Sequence, residues 1–179
     1  RIEQNYPAAI KFYQQAAKVT TNQTTKVRAT INQFSLLVNN RNTEAAKALL
    51  PEIEAQLNNL PPSQTNIYAR INLVQSLLKL NTKPETIAQI SATAVQQAQN
   101  LADKRAESFA LGTLGSVYEQ TKQFSNAEKL TKQALSIAQT INAPDISYRW
   151  HWQLGRLLGK QGEIQNAITS YDNAVNNLQ

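Results

Sequence analysis

The chain has 179 residues, with 18 Lys or Arg against 12 Asp or Glu, a formal net charge of +6, one histidine and no cysteine. The missing cysteine excludes disulfides and thiolate chemistry, and the absence of any Lys/Arg cluster argues against nucleic acid as a partner. No apolar run is long enough to span a membrane and the start is not leader-like, so no membrane association is expected and a cytoplasmic location is favoured.

Asn and Gln together number 38 against 30 charged residues. They are spread through amphipathic segments, which gives uncharged polar helix surfaces rather than a low-complexity tract. In chain order the apolar spacing predicts nine helices, roughly over 5–20, 25–40, 43–59, 64–80, 84–101, 104–121, 124–141, 145–160 and 163–178. Pro7 suits the first turn of the first. Ile31, Phe34, Leu37 and Val38 share one face of the second. Pro51 falls inside the third, where a kink or a restart is expected. Pro61-Pro62 forbids helix and leaves Ser63 to cap the fourth, whose apolar face is Ile71, Val74, Leu77 and Leu78. Pro84 opens the fifth, and the sixth carries Leu111, Leu114, Val117 and Tyr118. Ser125-Asn126-Ala127-Glu128 reads as a capping box for the seventh. Pro144 lies at the approach to the eighth, with Trp150, Leu154, Leu157 and Leu158, and Gly162 marks a tight turn into the ninth.

The chain also repeats itself. Ala127 and Ala134 recur forty residues on as Ala167 and Ala174, and Gly115 recurs as Gly155. Stepping back reaches Ile87 with Ala94, Ala48 with Ala55, and Ala9 with Ala16, five copies in all. A period of about forty residues is the signature of stacked supersecondary units, none of which buries its apolar face alone.

The spacing Leu114-Gly115-x2-Tyr118-x8-Ala127-x6-Ala134, with Leu154-Gly155-x2-Leu158-x8-Ala167-x3-Tyr171-x2-Ala174, resembles the tetratricopeptide repeat. The resemblance covers the whole chain. It implies an all-α fold, a right-handed superhelical solenoid of about four and a half helical hairpins, with residues 1–179 forming one repeat domain cut from a longer array. Small residues at Gly115, Gly155, Ala127 and Ala167 would let the helices of a hairpin approach, and Ala134 and Ala174 would let the next unit dock. Thr131, Ser91 and Glu52 depart from the aromatic of that family. Two segments, LLPEIEAQLNNLPPSQTNIYARINLVQSLLKL and YRWHWQLGRLLGKQGEIQNAITSYDNAV, are similar to the arrays that precede caspase-like CHAT protease domains in cyanobacterial-type proteins. That similarity implies a sensor or scaffold whose attached effector keeps its His/Cys dyad outside this sequence.

No catalytic, metal-binding or cofactor-binding residues are expected. His151 has no cysteine or second histidine with which to hold zinc and reads as a structural or surface residue. Glu52 with Glu54, and Asp103 with Glu107, read as solvated helix faces. Gly112, Gly115, Gly155 and Gly159 lie inside helices and lack the strand-loop-helix setting of a phosphate loop.

Binding is the stronger expectation. In the resembled family the first helices of successive hairpins line a concave groove. Here that face would hold Asn32, Leu36 and Asn39, then Asn72, Ser76 and Lys79, then Gly112, Ser116 and Glu119. Its last set is Arg149, Trp152, Arg156 and Lys160, three cations and an aromatic platform at helical spacing. This chemistry favours an acidic peptide or a C-terminal carboxylate as partner. The alternative is that Trp152 covers a neighbouring repeat while the cations solvate the helix. A second functional reading is a segment that regulates an attached effector in cis. A small-molecule-binding repeat would need an enclosed pocket, which an open superhelix supplies poorly. The terminal helices would leave Ile10, Tyr13, Ala174 and Leu178 uncovered and favour weak self-association.

Overall fold

The computed structural model describes residues 6–80 and 82–177, which contain nine α-helices and no strand. The helices are α1 (Tyr6–Val19), α2 (Gln23–Asn39), α3 (Thr43–Asn58), α4 (Gln64–Leu77), α5 (Pro84–Asn100), α6 (Lys104–Gln120), α7 (Phe124–Thr140), α8 (Pro144–Lys160) and α9 (Ile164–Asn176). Residue 5, expected to open the first helix, and Leu178, expected on the uncovered face of the last, lie outside the described residues.

The chain forms two compact units, divided after residue 81. In the first, α2 packs against α1, α3 and α4. Phe34 and Ile31 of α2, Ile53 and Leu57 of α3, and Ile67, Leu73 and Leu77 of α4 are fully or almost fully buried there. In the second, α6 packs against α5, α7 and α8, and α8 packs against α9. Its core gathers Leu111 of α6, Ala134, Leu135 and Ala138 of α7, and Ile146, Trp150, Leu154 and Leu158 of α8. The apolar stripes at helical spacing are thus the faces by which helices meet.

The helix ends follow the local signals in most places. Ser63 caps α4 by accepting from the Asn66 amide at 3.2 Å. Asn22, Asn42 and Asp103 cap α2, α3 and α6 in the same way. Pro84 and Pro144 open their helices, where a missing N–H leaves nothing unpaired. Five helices end in a shared turn. Arg41, Ala102, Lys122, Asn142 and Gly162 all adopt positive φ. In each case the following amide bonds back to the carbonyl five residues earlier, as in Asp103 to Ala98 and Glu163 to Leu158.

Two expectations need correction and a third is narrowed. Of the two outcomes expected at Pro51, a kink or a restart, the restart does not occur: α3 is continuous through it. Ser125 is not a cap: the turn at Lys122 returns the backbone to helix at Phe124, so Ser125 already lies inside α7, behind Gln123 at the cap position. Helix α4 ends at Leu77, and Leu78 to Leu80 form a tight turn bonded to Val74, Ser76 and Leu77.

Close approach explains the helical glycines Gly112, Gly115 and Gly155. A Cβ at Gly112 would stand 2.3 Å from the Trp150 ring, and one at Gly155 2.6 Å from Tyr171. The Trp150 indole N–H donates to Ser108 at 3.0 Å, and that hydroxyl donates on to the Ala134 carbonyl at 2.7 Å. A polar link from α8 through α6 to α7 is thereby closed inside an apolar core.

Candidate interaction face of the first helices

In the second unit the groove face predicted from sequence is the facing edge of α6 and α8, and side chains pair across it about one repeat period apart. Arg105 pairs with Asp145. The Arg149 guanidinium lies 5.8 Å from the centre of the Phe109 ring and 5.5 Å from that of Tyr148. Arg156 grips both oxygens of Glu119 at 3.3 and 3.0 Å, and Lys160 reaches the same carboxylate at 2.8 Å. Burial alone would raise the Glu119 carboxyl, but hydrogen bonds and charge from Arg156 and Lys160 together hold it below the ordinary value. These two cations therefore already hold a carboxylate of their own protein. Trp152 remains 51 % exposed, edge-on to Tyr171 at 5.0 Å.

One residue assigned to the open face is not on it: Gly112 is buried beneath Trp150, whereas Ser116 is half-buried and donates to Gln153 at 2.7 Å.

In the first unit α2 and α4 form the corresponding edge. Lys79 donates to the Asn39 side chain at 2.9 Å, and the Ser35 and Ser76 hydroxyls lie 2.7 Å apart. Ser76, expected on the groove, is 7 % exposed and also donates to the Asn72 carbonyl, so its hydroxyl serves helix packing rather than a ligand. Asn32 and Asn72 do come together. With Arg28, Thr65 and Tyr68 they line a cleft of about 240 Å3, and Arg28 has no ion pair among the described residues. Arg28 and Tyr68 were missed in the sequence although the signal was present. Arg28 precedes Asn32 by four residues, Tyr68 precedes Asn72 by four, and the two pairs are forty residues apart.

His151 is buried, its Nδ1 has no hydrogen-bond partner, and desolvation lowers its pKa. Among the described residues no three His, Asp or Glu side chains gather as a metal ion would require, and no helix is long and apolar enough to cross a membrane.

The model of the tetratricopeptide repeat matches residues 110–141, most of α6 and α7 with the turn that follows. The chain is an array of tetratricopeptide-type hairpins. Three solved structures carry the same fold. BtubC from P. vanneervenii superposes with a TM-score of 0.75 at 12 % identity, over 96 % of this chain and 73 % of that one. A Rap protein complexed with competence and sporulation factor gives 0.76 at 14 % identity, over 97 % of this chain and 49 % of that one. A Signal Transduction ATPase with Numerous Domains from Pyrococcus horikoshii, which has a tetratricopeptide repeat sensor, gives 0.75 at 14 % identity, over 96 % of this chain and 26 % of that one. The chain therefore spans about half of the second protein and a quarter of the third. No curated protein matches the sequence significantly. In this tetratricopeptide array Thr131 stands where the family carries an aromatic, and Tyr171 fills that position one repeat later, against Gly155.

Proposed function

We propose that the array is a protein–protein interaction scaffold that seats a peptide or partner segment on its first-helix face. The observation that carries this reading is the α2–α4 cleft. Asn32 and Asn72 offer amides able to donate to and accept from a peptide backbone, and the Arg28 fork suits a carboxylate. In the second unit Arg149 and the exposed Trp152 lie on the corresponding first-helix face, whereas Arg156 and Lys160 accept an acidic partner only by giving up Glu119. The Rap protein is in complex with a factor, which favours a ligand-binding role for this fold. Binding of an acidic peptide library, read by fluorescence anisotropy, tests the proposal. Arg28→Glu should weaken binding by at least about tenfold, the scale of a lost charged hydrogen bond. Unchanged affinity in Arg28→Glu and Asn72→Ala together would remove the cleft from the interface.

A second reading makes the array a cis-regulatory segment for an attached effector, such as a caspase-like CHAT protease domain. It is favoured by the Pyrococcus horikoshii protein, in which the repeats are described as a sensor within a polypeptide about four times as long as the matched part. Effector activity that is unaltered by groove substitutions in the full-length polypeptide would reject it.

A further inference from the structure

Helices α1, α2 and α3 border a second, open cleft in the first unit, of about 510 Å3, away from the groove cleft between α2 and α4. Its walls carry Lys18 of α1, Lys26, Thr30 and Gln33 of α2, and Glu52 of α3. Gln33 is only 7 % exposed, yet its amide makes no hydrogen bond among the described residues. The amide is not one of the fully buried unpaired groups; the stem of Gln33 is buried and its polar end opens onto the cleft.

The repeat supplies its own comparison. Steps of forty residues carry Gln33 to Leu73, Thr113 and Gln153. Leu73 is fully buried, so an apolar side chain fits this helix position. Gln153 is as buried as Gln33, but its amide donates to the Gly112 carbonyl and the Thr131 hydroxyl and accepts from Ser116. Gln33 alone presents the same amide to an open polar cleft. Around it, Lys18 and Lys26 have no ion pair among the described residues, and across the cleft Glu52 is engaged only by Gln56.

We infer that this cleft binds a small organic carboxylate carrying its own hydrogen-bond donor, an amino acid or hydroxy acid. Lys18 and Lys26 take its carboxylate, Glu52 takes its ammonium or hydroxyl donor, and the Gln33 amide bonds to it from the floor. The two ammonium groups select for an anion, and the opposing carboxylate selects against one without a donor. The pairing of both signs distinguishes this cleft from a basic patch, and its place behind α2 separates it from the peptide face.

The test is a 1H–15N NMR titration of the 179-residue chain with L-glutamate and with citrate, each at ionic strength matched with sodium chloride, and with sulfate as the anion that has no hydrogen-bond donor. The expected result is a saturable shift of the Gln33 side-chain amide and the Lys26 and Thr30 backbone amides with one or both carboxylates. Affinity should fall by at least about tenfold in Lys26→Gln, the loss of one charged hydrogen bond. Gln33→Leu, which restores the residue found at position 73, should abolish the response. Lys26→Gln preserves the test should Gln33→Leu fold poorly. The inference is overturned by the absence of a saturable shift with either carboxylate, by equal shifts and affinity with sulfate, or by a response unchanged in both variants.

Discussion

The Gln153 side-chain nitrogen lies 2.8 Å from the Thr131 hydroxyl, at the place where a tetratricopeptide hairpin ordinarily carries an aromatic ring. Threonine leaves space beside Gly115, and the amide from the next hairpin fills it. A Cβ at Gly115 would meet both groups at 2.9 Å. The same nitrogen donates to the Gly112 carbonyl at 2.9 Å, so α6, α7 and α8 are joined at a single polar point.

Replacement of that amide should be felt. Gln153→Leu leaves the Thr131 hydroxyl its bond to the Ala127 carbonyl, so the expected loss is about 1–2 kcal/mol, that of the bonds made by one buried amide. Gln33→Leu, which breaks no bond, should be neutral or stabilising. Both tryptophans lie on α8, so denaturation followed by their fluorescence reports the second unit, and circular dichroism reports both.

Two glycines on different helices of the second unit should respond in opposite directions. Gly112→Ala drives a methyl into the buried Trp150 ring and should cost about 1–3 kcal/mol, the range for overpacking. Gly159→Ala meets only the Ala167 methyl at 3.9 Å and should gain about 0.5–1 kcal/mol from the stiffer helix. Denaturation midpoints of equal sign for the pair would contradict the packing account.

The turns offer a backbone test. Gly162 has φ of +84° with nothing within 4 Å of an added Cβ, so Gly162→Ala isolates the left-handed penalty, about 1 kcal/mol. Lys122 occupies the same turn at φ of 59°, and Lys122→Gly should give a small gain, reduced by the greater freedom of glycine in the unfolded state.

Acid should weaken the second unit in two stages. The pKa of His151 is depressed below 6.5 by burial, so the unfolded state binds its proton first and stability falls as the pH drops below that value. Glu119 is held below 4.5 despite its burial, because Arg156 and Lys160 outweigh desolvation. Its contribution is complete above 4.5 and is lost as the pH falls through the folded value. Glu119→Gln should reduce the lower stage, which Glu128, lowered by hydrogen bonds from Lys132 and Gln161, also shares, and should leave the upper one. An unchanged acid limb in tryptophan-monitored unfolding would show that the triad contributes nothing.

The helices were legible in the sequence because apolar spacing and proline placement act locally. The candidate face was legible only in part. Asn32 and Asn72 meet as the forty-residue period implies, but Ser76 and Gly112 are buried and Arg156 and Lys160 are occupied. Periodicity states which residues share a helix face; it does not state how tightly the neighbouring first helix closes over that face. Gln153 was invisible for the same reason. A glutamine in an apolar stripe reads as an interruption until the threonine and carbonyl that receive it are brought together by the fold. Pro51 shows the converse, a strong local breaker overridden by the packing of Ile53 and Leu57 in the core.

Helices α5 to α9 begin at residues 84, 104, 124, 144 and 164, and the four turns between them place their left-handed residue at 102, 122, 142 and 162. One helix and its turn therefore occupy a constant twenty residues, and every junction has the same entry and exit. A genetic crossover between equivalent points of two hairpins would add or remove forty residues while creating no new kind of turn and no new helix start. In this half of the molecule, length is a quantity that recombination can change without asking the backbone to solve a new problem.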